Sequence, residues 1–208
     1  MLINCHSYYS LKYGTLSVKE LVQKAKDNNY DCIALTDINC MTGVYDFILE
    51  CGEQGIKPVV GIEFRNGDEL LYVALARNAA GFKELNELLS YRNINKGKFA
   101  KQAPAFQNSY VIYPFQQNGI PHTLRENEYI GIQTQDINQL FSQRYKSIIK
   151  KCVILHPVSI SSRFEYGLHL CLRAMDHNVV MDKLQPQQCA KLEHHIPPID
   201  KLLSKYDR

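Results

Sequence analysis

The sequence predicts an α/β fold built on parallel strands, and three observations carry that prediction. The first 64 residues alternate short apolar runs with amphipathic stretches in a β-α-β-α-β series of about 30 residues per step, which calls for parallel strands joined by crossover helices. The run Cys32-Ile33-Ala34-Leu35 is wholly apolar, as strands buried on both faces are. Polar residues stand where such strands end: His6, Asp37 and Glu63 are each delivered to a C-terminal strand end, where α/β folds gather their sites.

Each element follows from local chemistry. Leu2-Ile3 opens a first strand that runs into the loop Asn4 to Gly14. Ser17-Val18-Lys19-Glu20 is a capping box, and Val18, Leu21, Val22 and Ala25 form one face of the helix it starts, which Asn28-Asn29 ends. After the Cys32–Leu35 strand, a second helix carries Val44, Phe47, Ile48 and Cys51 and closes at Gly55. Lys57 to Phe64 is the third strand, with Glu63 its polar exception. Asn66-Gly67 signals a tight hairpin, and Glu69 to Ala76 returns antiparallel.

Asn78 caps a helix with the apolar stripe Phe82, Leu85, Leu88 and Leu89. Lys96 to Lys101 reads as a solvated basic loop, and Tyr110 to Tyr113 as a strand stopped by Pro114. The chain turns from Gln116 to Pro121, and Tyr129 to Ile132 is a further strand. Asp136 to Ile149 is amphipathic through Ile137, Leu140, Phe141, Ile148 and Ile149. Cys152 to Leu155 is a strand presenting His156-Pro157 at its end. A long helix from about Ser162 to Asn178 carries Phe164, Leu168, Leu172 and Met175 on one side. An irregular tail with Pro186, Pro197 and Pro198 leads to a last helix, Ile199 to Tyr206.

The bulk composition narrows the function classes. A chain of 208 residues, 45% hydrophobic and 22% charged, is ordinary globular material sufficient for one substantial core. A net charge of +3 gives little support to self-sufficient nucleic-acid binding, which usually shows a concentrated basic face. The seven cysteines form no C-x-x-C pair or zinc-finger spacing, and Cys32 and Cys152 sit inside apolar runs, which predicts free thiols and a cytoplasmic setting. No stretch approaches the length of a membrane span, so no membrane partner is expected.

In a strand, residues two apart share a face, so Asn4 and His6 point the same way. A His-x-His pair there would be a metal clamp. The residues themselves leave two readings open: half of such a clamp, or a polar pair at a loop edge. The remaining histidines read as solvated or packed: His122 in a loop, and His169 and His177 on the late helix; His194-His195, without a nearby Cys, Asp or further His at ligand spacing, is assigned no function.

Taken together, His6-Ser7-Tyr8-Tyr9-Ser10 with Gly14, then Ala34-Leu35-Thr36-Asp37, then Lys57 to Glu63, resemble the PHP (polymerase and histidinol phosphatase) domain. The form is similar to the N-terminal domain of bacterial DNA polymerase III alpha subunits, as Ala76-Arg77-Asn78 with Gly81-Phe82 and Leu85, and His169 with Leu172 and Met175, also suit that branch. The resemblance spans about residues 1–180 and leaves 181–208 as a C-terminal extension leading toward a polymerase core. It implies a distorted (β/α)7 barrel whose strand ends hold up to three metal ions that activate water for phosphoester hydrolysis. In some relatives that activity is a proofreading 3'-5' exonuclease.

Against that pattern the chain departs at most ligand positions. The family's H-x-H is Asn4-Cys5-His6, its L-x-D-G is Leu11-Lys12-Tyr13-Gly14, and its T-D-H is Thr36-Asp37-Ile38. Glu63 is retained, while the late D-x-H falls near Pro157 and Ser159, with His156 as a substitute if the loop is shifted. The expectation is therefore a vestigial strand-end cleft of Asn4, His6, Tyr13, Asp37, Ile38, Glu63 and His156, with no catalytic residues and no metal cofactor. Its role would be to brace a replicative DNA polymerase or dock a proofreading exonuclease subunit, with DNA met only through the full-length protein. Two other readings stay open. One is a metal-dependent phosphoesterase or exonuclease using Zn, Mn or Fe on a rearranged site of His6, Asp37, Glu63 and His156. The other is a stand-alone binding module.

Overall fold

The computed structural model describes residues 1–115, 123–140 and 148–207. The eight strand segments are β1 (Leu2–Cys5), β2 (Cys32–Leu35), β3 (Lys57–Asn66), β4 (Glu69–Ala76), β5 (Ser109–Pro114), β6 (Glu128–Ile132), β7 (Cys152–Ile154) and β8 (Pro157–Val158). They hydrogen-bond in the order β7-β6-β5-β4-β3-β2-β1-β8. The two ends of that order are consecutive in the chain, separated by Leu155 and His156 alone. One run of backbone thus pairs with β6 through its first half and with β1 through its second, and the sheet closes. Counted as one, β7 and β8 complete the seven-stranded (β/α) barrel.

The distortion from an all-parallel barrel lies at β4, which is antiparallel to both β3 and β5. The hairpin predicted at Asn66-Gly67 produces it, with Gly67 at φ +60° and Asn66 paired to Glu69. Every strand sends side chains to the barrel interior: Ile3, Ala34, Val73, Leu75, Ile112 and Leu155 form its buried cluster, with Val59, Tyr129 and Val153 packed against them. Above this apolar floor, toward the C-terminal strand ends, the interior turns polar.

Helices α1 (Val18–Asp27) and α2 (Val44–Gln54) cover the outside of β1 to β3, and α3 (Ala79–Asn95) covers β3 to β5. The capping box forms as the sequence requires: Ser17 Oγ accepts from the Glu20 amide at 3.2 Å, and Glu20 Oε2 accepts from the Ser17 amide at 2.9 Å. Asn78 caps α3 by accepting from the Gly81 amide at 3.0 Å. Of the amphipathic stretch at Asp136 to Ile149, Ile137–Leu140 forms α4. Phe141, the turn at 116–121 and His122 lie outside the described residues.

Helix α5 (Arg163–His177) lies over the barrel mouth. Most of its apolar side faces solvent, with Phe164 85%, Leu168 46% and Met175 64% exposed, while Leu172 is half-buried. The buried side is His169, Arg173 and Ala174 instead. Polar groups were drawn inward because the barrel mouth beneath α5 offers them partners, and periodicity alone is blind to that.

Residues beyond 181 fold back onto the barrel. Ile196 and Leu202, the latter in α6 (Ile199–Ser204), belong to the core around α1, and Tyr30 donates its hydroxyl to the Pro197 carbonyl at 3.0 Å.

Candidate functional site

The C-terminal ends of β1, β2 and β3 and the segment after β8 converge on Glu63, which is fully buried. Its Oε2 accepts from Asn4 Nδ2 at 2.7 Å. The Asn4 amide orientation is set because its Oδ1 accepts from Thr36 Oγ1 at 2.8 Å. His6 Nδ1 lies 2.8 Å from Ser159 Oγ. Its Nε2 sits 3.1 Å from Glu63 Oε2 but is poorly aligned for a hydrogen bond, and this buried atom has no hydrogen-bond partner among the described groups.

Glu63 Oε1 is taken by Arg65, whose Nε donates to it in a short ion pair. Glu63 and Arg65 are two apart in β3 and so share its inner face. Burial by itself would raise the Glu63 carboxyl, but the Arg65 guanidinium and then His6 outweigh it and hold the group well below the usual carboxylate range. Burial likewise opposes charge on Arg65, and Glu63 overrides that to keep it protonated.

Tyr13, expected among the cleft residues, is its aromatic centre. The Arg65 guanidinium lies 4.5 Å from the ring centroid and that of Arg173 lies 5.3 Å from it. His6 and His169 meet the ring edge-on at 5.7 and 4.8 Å between centroids. Arg173 arrives from α5 already paired, with Nη1 2.7 Å from Asp176 Oδ2 and Nη2 2.5 Å from Asp68 Oδ1 at the β3–β4 hairpin.

The remaining expected residues do not turn their side chains to Glu63, although Asp37 accepts the Glu63 amide through its carbonyl at 3.3 Å and Ile38 pairs with Glu63 in an isolated parallel bridge. Asp37 turns into the loop after β1: Ser7 gives it a backbone N–H at 2.7 Å and a hydroxyl at 2.8 Å, and Ser10 a hydroxyl at 2.6 Å. Burial pushes the Asp37 carboxyl up despite those three donors. Ile38 donates its amide to Ser10 Oγ at 3.0 Å. His156 follows Leu155, which points inward, and itself points out of the barrel, where Nε2 lies 2.9 Å from the His195 carbonyl. There it lines a cavity of about 310 Å³ with Gln133, Glu193, His194 and Tyr206. The rearranged quartet of His6, Asp37, Glu63 and His156 is thus not brought together. Among the described residues, no three His, Cys, Asp or Glu side chains are grouped to hold an ion.

Ser7, Ser10, Arg65 and Arg173 were absent from the expected site. For Arg65 the signal was available, since a residue two beyond Glu63 shares its face if β3 is extended past Phe64. For Arg173 nothing local distinguishes it from any basic residue near a helix end.

Comparison with known proteins bears on the whole barrel. A model of the PHP domain family matches residues 3–150, well over half of the chain. The DNA polymerase III subunit alpha of Ureaplasma parvum is 37% identical over 83 residues, covering 40% of this chain and 8% of the relative. That of Staphylococcus aureus is 27% identical over 198 residues, covering 89% of this chain and 18% of the relative. The chain therefore spans less than a fifth of the length of these relatives. Among solved structures, an amidohydrolase from Chromobacterium violaceum aligns with 25% identity and a TM-score of 0.32, over 46% of this chain and 36% of the other. One named as a metal-dependent phosphoesterase, from Bifidobacterium adolescentis, aligns at 12% identity and a TM-score of 0.36, over 98% and 95%. With a family match running from β1 into the segment before β7, and with the barrel described above, the chain belongs to the PHP domain family.

Proposed function

We propose that this chain is the PHP domain of a replicative DNA polymerase similar to DNA polymerase III subunit alpha, and that its barrel mouth is a brace without hydrolytic activity. The relatives' names support the first half of this reading. One observation carries the second: both Glu63 oxygens are engaged by protein donors, and one of those donors is a buried cation. The residues present do not fit a cluster of ions. Asp37 is saturated by serines, Asn4 turns its Nδ2 donor to Glu63, and Arg65 places positive charge where metal ions would need to gather.

In this role the domain presents a rigid barrel to the rest of the polymerase chain and to a proofreading exonuclease subunit. DNA is met through the full-length protein, and no metal cofactor is needed. Seven free cysteines suit a cytoplasmic protein, and no helix among the described residues is long and apolar enough to cross a membrane.

Elemental analysis after purification with Zn, Mn and Fe supplied, joined to phosphatase and 3'-5' exonuclease assays, tests the silent mouth. The expected outcome is far less than one equivalent of metal and no hydrolysis. Stoichiometric metal together with metal-dependent hydrolysis would overturn it. The bracing role is tested by binding to the remainder of the polymerase chain or its exonuclease, and a folded domain that binds neither counts against it.

A further inference from the structure

We propose that Arg65 is the resident cation of the barrel mouth: its guanidinium holds Glu63 as a divalent ion would, and its presence keeps such an ion out. This rests on the reading of the mouth as non-hydrolytic and names what maintains it. A fully buried carboxylate is tolerated only with a compensating charge close by. Glu63 has one such fixed charge, Arg65, bonded through Nε and seated on the face of Tyr13 at 4.5 Å. The Arg65 Nη2 also lies 3.4 Å from the Tyr13 hydroxyl. Tyr13 therefore holds the guanidinium plane in place as well as shielding it.

The second observation is the imidazole beside it. His6 Nε2 is buried, has no aligned hydrogen-bond partner among the described residues, and faces the same carboxylate at 3.1 Å. With the guanidinium gone, Glu63 Oε1 and His6 Nε2 become a free oxygen and a free nitrogen donor side by side, a pairing suited to Zn²⁺ or Mn²⁺. One ion is the limit, since Asp37 is committed to Ser7 and Ser10. Electrostatic repulsion from Arg65 excludes that ion from the native mouth.

The test is a three-protein thermal melt of the 208-residue chain, with and without about 1 mM Zn²⁺ or Mn²⁺. Arg65→Met alone leaves Glu63 buried and uncompensated, so it should melt roughly 10 °C or more below the native chain, or fold only when the ion is present. The ion should raise its melting temperature. The double variant Glu63→Gln with Arg65→Met removes both charges, should recover much of the loss, and should ignore the ion. The native chain should ignore it too.

The inference is overturned if Arg65→Met melts with the double variant, or if the ion leaves Arg65→Met unchanged or shifts both variants alike. An ion that stabilises the native chain overturns the inference as well, whereas the silent-mouth reading falls only to metal-dependent hydrolysis by the native chain, which the melts do not read. The two failures are therefore separable.

Discussion

The imidazole of His169 donates from Nδ1 to the carbonyl of Tyr13 at 2.7 Å, and this bond fixes which nitrogen carries the proton. Nε2 must be the acceptor, because the Ala190 amide donates to it at 2.8 Å. One neutral ring thereby ties the loop after β1 to the C-terminal tail across the side of α5. Sequence reading placed His169 in a packing or surface role, and the structure makes it a fully buried connector.

Burial, with Arg173 and Arg65 adding repulsion, lowers the His169 pKa to about 4. Between about pH 6.5 and 4 the unfolded chain binds a proton there that the folded chain refuses, so stability rises with pH across that window and is lost as pH falls through it. His194, lowered to about 3 chiefly by burial, adds in the same direction. Denaturant melts at pH 7, 6, 5 and 4 should show this decline, and His169→Gln should flatten it. A His169 resonance titrating near 6.5 in the folded protein would contradict the assignment.

Asp37 is a loop organiser, and its replacement should be costly without touching metal content. Asp37→Ala leaves the Ser7 amide and two serine hydroxyls without their acceptor in a buried setting. A loss of about 2–4 kcal/mol in urea unfolding is expected. A loss under about 1 kcal/mol would show that water replaces the carboxylate.

Two glycines should respond oppositely to alanine. A Cβ on Gly14 would lie 1.9 Å from the Ser7 carbonyl oxygen, so Gly14→Ala must displace the same loop that Asp37 organises. Gly167, within α5, has open space around its Cβ position, and Gly167→Ala should stabilise by about 0.5–1 kcal/mol through helix propensity. Thermal melts of the pair check both signs.

The outward stripe of α5 makes its own prediction. Phe164 is 85% exposed, so Phe164→Ser should change stability by no more than about 0.5 kcal/mol. A loss of about 3 kcal/mol or more would show that Phe164 is packed.

The contrast shows what could be read from the chain and what could not. The β-α-β-α-β start, the Ser17 and Asn78 caps and the Asn66-Gly67 hairpin were legible because each depends on residues a few positions apart. Which face of α5 is buried was not legible, because it depends on partners at Tyr13, Asp68 and Gln188, outside the helix. At the mouth, His6 and Glu63 were found by their strand positions. Arg65 was lost when the third strand was ended two residues early, although the hairpin carries β3 to Asn66. His156 was misplaced by parity: next to an inward Leu155, it can only face out.

Closure by residues 152–158 has a consequence for synthesis on the ribosome. Until that segment emerges, β1 and β6 each keep one row of backbone amides and carbonyls unpaired, more than a hundred residues apart in the nascent chain. The apolar barrel floor is also incomplete, since Val153 and Leu155 belong to it. A chain stalled or cut ahead of Cys152 would thus carry two adhesive edges and an open apolar face, making it a substrate for chaperones and proteases. The last strand to be made decides whether the first one is safe.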